Sequence, residues 1–109
     1  MKVYLAIPYT GNEETSFIEA NKMAGHIMSQ GHILFSPISH THPIACECDL
    51  PKHWEFWRSF DVAFIEWCDE LWVYCMEGFE KSCGVNAEID IALGLNKRVR
   101  YLNTDGEFL

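Results

Sequence analysis

The segment ELWVYCMEGFEKSCGVNAEIDIALGLNKRVRYL, residues 70–102, holds in order an apolar run, a polar glycine-containing turn, a helix-like run and a second apolar run. Residues 70–76 predict a buried strand, 84–95 a helix and 98–102 another strand. Two strands joined through a helix pair in parallel, with a right-handed crossover, so this one segment selects an α/β sheet. It also sets Glu88 and Asp90 just inside a helix otherwise suited to packing. Two residues apart on a helix, they point in different directions, and Asp90 reads as structural.

Upstream, the alternation continues. Residues 2–8, KVYLAIP, read as a strand stopped by Pro8, with YTGNEE as its exit loop. From Ser16 to Gln30, Phe17, Ala20, Ala24, Ile27 and Met28 recur at helical spacing, Ser16 and Glu19 offer a capping box, and Gly31 stands where a helix stops. HILFSP (32–37) predicts a second strand. ISHTHPIACECDLPK (38–52) reads as a long loop by its Pro, Ser, Thr and Asp content. Residues 53–68 carry an apolar stripe at 54, 57, 60, 64 and 67 that suits one or two helices. The expected fold is a single domain over residues 1–109, a small doubly wound, flavodoxin- or Rossmann-like parallel sheet of four to five strands flanked by helices. In such sheets a ligand sits beyond the carboxyl ends of the strands, which brings the turn at 77–84 and the helix behind it into the pocket.

Composition narrows the partners. With 8 Lys plus Arg against 16 Asp plus Glu, a net charge of −8 argues against tracking a nucleic-acid polymer and for a small-molecule substrate. No run of eighteen apolar residues is present and the first residues lack a signal-peptide pattern, so the expectation is a soluble, cytoplasmic protein without membrane association. Five cysteines, an odd number, suit reduced thiols. His40, His42, Cys46, Cys48 and His53 are ligand types, but their spacing matches no common zinc pattern; the expectation is no metal and a pocket-lining loop instead. Neither a phosphate-binding G-x-x-x-x-G-K-[ST] nor a three-glycine dinucleotide turn occurs, and no cofactor is expected.

KVYLAIPY at the start, HILFSPISHTHP, FDVAFIEWCDELWVY and SCGVNAEIDIALGLNKRVRYL, in that order and spacing, resemble the nucleoside 2-deoxyribosyltransferase-like superfamily, in particular its short members of the domain-of-unknown-function type. The most specific element is Ser82-x-Gly84-x-x-x-Glu88. The resemblance implies a retaining cleavage or transfer at the N-glycosidic bond of a (deoxy)nucleoside or its monophosphate. It makes Glu88 the nucleophile that forms a glycosyl ester, Asp61 the acid beside the departing base, and Tyr9 a phenol that orients the nucleophile. Pro8, Ser36, His40, His42, Trp57, Ser82 and Gly84 are implied as substrate contacts, and a homo-oligomer with shared sites is implied as the assembly.

From the residues alone, other roles stay open: Glu88 as an exposed helix carboxylate, Asp61 as a solvated or capping residue, and Tyr9 as the end of a buried strand. Trp54, Trp57 and Phe60 read first as core or interface, with stacking on a base as the alternative for one of them. A non-catalytic nucleotide-binding or sensing module of the same fold is the competing function. Transfer against hydrolysis, and nucleoside against monophosphate, stay open.

Overall fold

The computed structural model describes residues 1–109. Its elements are β1 (Lys2–Ala6), α1 (Glu13–Ser29), β2 (Ile33–Phe35), α2 (Pro37–Cys48), α3 (Trp54–Trp67), β3 (Glu70–Tyr74), α4 (Cys83–Gly94) and β4 (Arg98–Leu102), with a short 3₁₀ turn at Phe79–Lys81. The four strands form one sheet in the order β2-β1-β3-β4, and every neighbouring pair is parallel. The expected α/β architecture, strands alternating with flanking helices, is the one observed.

The period-two alternation of β1 divides the core. Val3, Leu5 and Ile7 turn to one face, where they pack with Ala20, Met23, Ala24 and Ile27 of α1 and Ile38 of α2. Tyr4 and Ala6 turn to the other, against Ile65 of α3 and Val85 and Ala92 of α4. One tyrosine hydroxyl is thereby committed to the layer between sheet and the α3/α4 pair, in a strand buried on both faces.

Two expectations need correction. The segment 38–52 is largely helical: Pro37 occupies the first turn, where its missing N–H costs nothing, and Ile38, Thr41, His42 and Ala45 bury one face. The Thr41 hydroxyl donates to the Pro37 carbonyl at 2.8 Å, and Pro43 is carried inside the helix. Ser16 does not cap α1, whose N-cap is Asn12; Ser16 is buried in the helix itself.

Gly31 follows α1 at φ +91° with open space where a Cβ would stand, so only backbone strain opposes a side chain there. Gly31→Ala is expected to lower unfolding stability by about 1 kcal/mol, read from urea denaturation. An unchanged midpoint would contradict the assignment of this position as the obligatory left-handed exit from α1.

Candidate active site

A cavity of about 550 Å³ opens beyond the carboxyl ends of β1 and β3, where the sheet order reverses. The exit of β1 (Ile7–Thr10), the turn after β3 (Met76–Gly78), the start of α4 and one side of α3 form its walls. Gly78, at φ +89°, takes the left-handed conformation that ends the β3 exit and starts the 3₁₀ turn. The Ser82 hydroxyl then accepts the Val85 N–H at 3.2 Å and caps α4.

Glu88, in the second turn of α4, and Asp61, midway along α3, both line this cavity and are both buried, at 5% and 7% exposure. Two carboxyls withdrawn from water repel charge. Burial, then the Asp61 charge, pushes the Glu88 carboxyl well above its usual range, opposed by a hydrogen bond from Tyr4. Burial raises Asp61 to about 7, again opposed by the Tyr4 hydroxyl. The Tyr4 phenol donates to Glu88 Oε2, and burial with the two neighbouring carboxyls lifts its own pKa well above normal. Asp61 Oδ1 is buried without any hydrogen-bond partner. The Tyr4 hydroxyl thus works against the rise of both acids, while burial disfavours charge on either.

Of the residues expected in the site, Pro8, Tyr9, Trp57, Asp61, Ser82, Gly84 and Glu88 line the cavity. Trp57 is held by its Nε1–H, which donates to the Pro51 carbonyl at 2.8 Å. Ser36, His40 and His42 do not line it. Because the segment after β2 is a helix and not a loop, Ser36 ends up buried and bonded to Ser39, with Oγ–Oγ 2.7 Å, and His40 lies outside against the Phe60 ring. His42 is buried behind the wall, with Nδ1 2.7 Å from the Tyr9 hydroxyl and Nε2 3.1 Å from Glu14.

The Tyr9 phenol is therefore engaged by His42 and does not orient Glu88; Tyr4 does. Burial, followed by Cys46, Glu13 and Glu14, raises Tyr9 to about 12, so it stays a neutral hydroxyl. The sequence offered Tyr4 only as one apolar-run residue; the signal was its even position, which puts it opposite Val3 and Leu5. Ser16, Lys52 and Lys81 also line the cavity and were not read as site residues; Trp54, read first as core or interface with base stacking as the alternative, lines it too. Cys46 Sγ approaches His42 Nε2 at 3.6 Å, but no three His, Cys, Asp or Glu side chains are grouped so as to hold a metal ion.

Comparison with solved structures finds the same fold over the whole chain. The 2-deoxyribosyltransferase of Bacillus psychrosaccharolyticus is similar at 26% identity and a TM-score of 0.64, covering 100% of this chain and 77% of that one. The 2-desoxiribosyltransferase of Leishmania mexicana is similar in fold at 15% identity and a TM-score of 0.65, covering 94% of this chain and 63% of its own. No curated protein matches the chain. The family model described as domain of unknown function DUF1937 matches residues 1–104. On that match the chain belongs to the DUF1937 family, and its architecture is that of the 2-deoxyribosyltransferases.

Proposed function

We propose that the protein cleaves or transfers at the N-glycosidic bond of a (deoxy)nucleoside or its monophosphate through a covalent ester on Glu88. The observation that carries this reading is the buried Glu88–Asp61 pair, tied to β1 by the Tyr4 hydroxyl and opening into a cavity of about 550 Å³. The similarity to 2-deoxyribosyltransferases supports the same chemistry.

In the first step a Glu88 carboxylate oxygen bonds to the anomeric carbon as the carbon–nitrogen bond breaks. The electron pair leaves with the base, and Asp61 delivers its proton to that base, so that a neutral molecule departs. Tyr4 holds the attacking carboxylate in one orientation. In the second step water or another base attacks the anomeric carbon, Asp61 takes a proton from it, and the ester opens to restore Glu88. The unpartnered Asp61 Oδ1 is satisfied by hydrogen bonding to the base.

A homo-oligomer in a reducing, cytoplasmic setting belongs to the same proposal. Phe56 of α3 is 44% exposed, beside half-buried Trp54, Trp57 and Phe60, and all five cysteines are unpaired.

The test is incubation with a panel of deoxynucleosides and their monophosphates, with and without free adenine or cytosine, followed by chromatography. Base release or exchange is expected; neither, from any member, overturns the reading. Tyr4→Phe is expected to reduce kcat/KM about ten- to a hundredfold. Losing the donor to the carboxylate drives Glu88 still higher, so the acidic limb of the pH–rate profile moves to higher pH. A limb that stays in place would remove Tyr4 from the role.

A further inference from the structure

His42, which the resemblance places among the substrate contacts, lies behind the cavity wall on α2, buried at 4% exposure. A buried imidazole has two ring nitrogens to satisfy, and here each meets a different element. Nε2 is 3.1 Å from Glu14 Oε2 of α1, and Nδ1 is 2.7 Å from the hydroxyl of Tyr9, which lines the cavity. The Phe17 ring of α1 lies against the imidazole, 4.8 Å between centroids, and Cys46 Sγ, one turn along α2, is 3.6 Å from Nε2. A chain of side chains thus runs from the cavity wall through buried His42 to the surface, where the Glu14 side chain is 75% exposed.

The chain has a direction. An ionised carboxylate only accepts, so Nε2 carries the hydrogen toward Glu14, and Nδ1 of the neutral imidazole is left as the acceptor. The Tyr9 hydroxyl, which keeps its proton, donates to it. Tyr9 belongs to the β1 exit, which is neither helix nor strand, so no helix or sheet ladder sets its place in the wall. Two hydroxyls tie that exit to its neighbours: Tyr9 to α2, and Thr10 to the Lys52 carbonyl at 3.2 Å. Trp57, a second aromatic of the wall, is likewise fixed from outside, by the Pro51 carbonyl. Cutting the Tyr9 tie leaves a buried imidazole nitrogen unsatisfied on one side and a loosened wall on the other.

We propose that His42, oriented by Glu14, is a positioning residue that fixes Tyr9 in the cavity wall and so governs substrate binding without touching the substrate. This rests on the reading of the Glu88–Asp61 cavity as a nucleoside site. Glu88 is held by Tyr4 and not by Tyr9, so the Tyr9 wall meets a part of the substrate remote from the breaking bond. Contacts of that kind are equal in the ground and transition states, and their loss raises KM while leaving kcat.

The experiment measures kcat and KM separately, on the best substrate of the nucleoside and monophosphate panel, in the wild type and in His42→Leu, His42→Asn, Glu14→Ala, Tyr9→Phe and the His42→Leu/Tyr9→Phe double variant. His42→Leu is expected to raise KM about three- to tenfold with kcat within about twofold. In His42→Asn the amide oxygen can stand near the place of Nδ1 and accept from Tyr9, so most of the loss should be recovered. Glu14→Ala, an exposed change that frees the imidazole to take the other tautomer, should raise KM about two- to threefold. Once Tyr9→Phe has removed the hydroxyl, His42→Leu should add nothing, because its effect passes through that hydroxyl. Thermal melts establish which variants fold; should His42→Leu not fold, Glu14→Ala with and without the Tyr9 hydroxyl makes the same comparison. An unchanged KM in His42→Leu or Glu14→Ala, or an equal loss with and without the Tyr9 hydroxyl, overturns the positioning role while leaving the glycosidic reading standing. If no substrate is turned over, calorimetric Kd values for the same panel take the place of KM. Weaker binding in His42→Leu that disappears in the Tyr9→Phe background upholds the role although the enzyme reading falls. Binding indifferent to His42, or none, overturns it.

Discussion

Glu88→Gln is expected to abolish base release and exchange, with a loss of about a thousandfold or more in kcat/KM. The amide matches the carboxyl in shape and its oxygen still accepts from Tyr4, so the variant keeps the α4–β1 contact while losing the nucleophile. Glutamine also removes the charge that burial and Asp61 oppose, and the variant is expected to be no less stable than the wild type. Activity and stability thus part company, which a merely structural Glu88 would not allow. Rapid acid quenching of the wild type during turnover should leave a glycosyl increment on the peptide spanning residues 82–97, with fragmentation placing it on Glu88. Undiminished activity in the glutamine variant removes Glu88 as the nucleophile.

Asp61→Asn carries the second large effect, in opposite directions for catalysis and stability. Without its proton the base departs as an anion, and a fall of about a hundred- to ten-thousandfold in kcat/KM is expected. For the wild type, activity should decline above about pH 7 as Asp61 ionises. The stability consequence follows from the same titration. Between 3.8 and about 7 the folded protein keeps a proton that the unfolded chain has released, so stability falls as pH rises through that window. A rise of that size corresponds to about 4 kcal/mol. Asparagine has no charge to bury. The variant should therefore match the wild type near pH 4 and exceed it by several kcal/mol at pH 8, as read by urea denaturation at the two values. A variant less stable than the wild type at pH 8 would show that Asp61 is held by interactions that favour its charge. A buried acid that costs stability where the protein works is the usual signature of a group retained for chemistry.

Much of the fold was legible because it depends on periodicity. The apolar runs that became β1, β3 and β4 and the helical spacing behind α1 and α4 are local properties, and the strand–helix alternation dictates a parallel sheet. The helix at 37–48 was missed because two prolines and several Ser, Thr and His residues mimic loop chemistry. One proline falls in the harmless first turn, and packing against α1 outweighs the rest. That misreading carried His40, His42 and Ser36 into the expected pocket, since a loop would have left them free to turn inward.

In the sequence, the resemblance to a known family was what singled out the candidate carboxylates: Glu88 behind the Ser82–Gly84 turn, and Asp61 in an aromatic helix. Only the tertiary structure decided that they meet. The order β2-β1-β3-β4 lays α3 and α4 side by side over β1, and the pleat of β1 aims Tyr4, not Tyr9, between them. Sequence periodicity encodes which face of an element is buried, but not which other buried face it will touch. That choice is made by the packing of distant segments, which here closes a cavity around two acids.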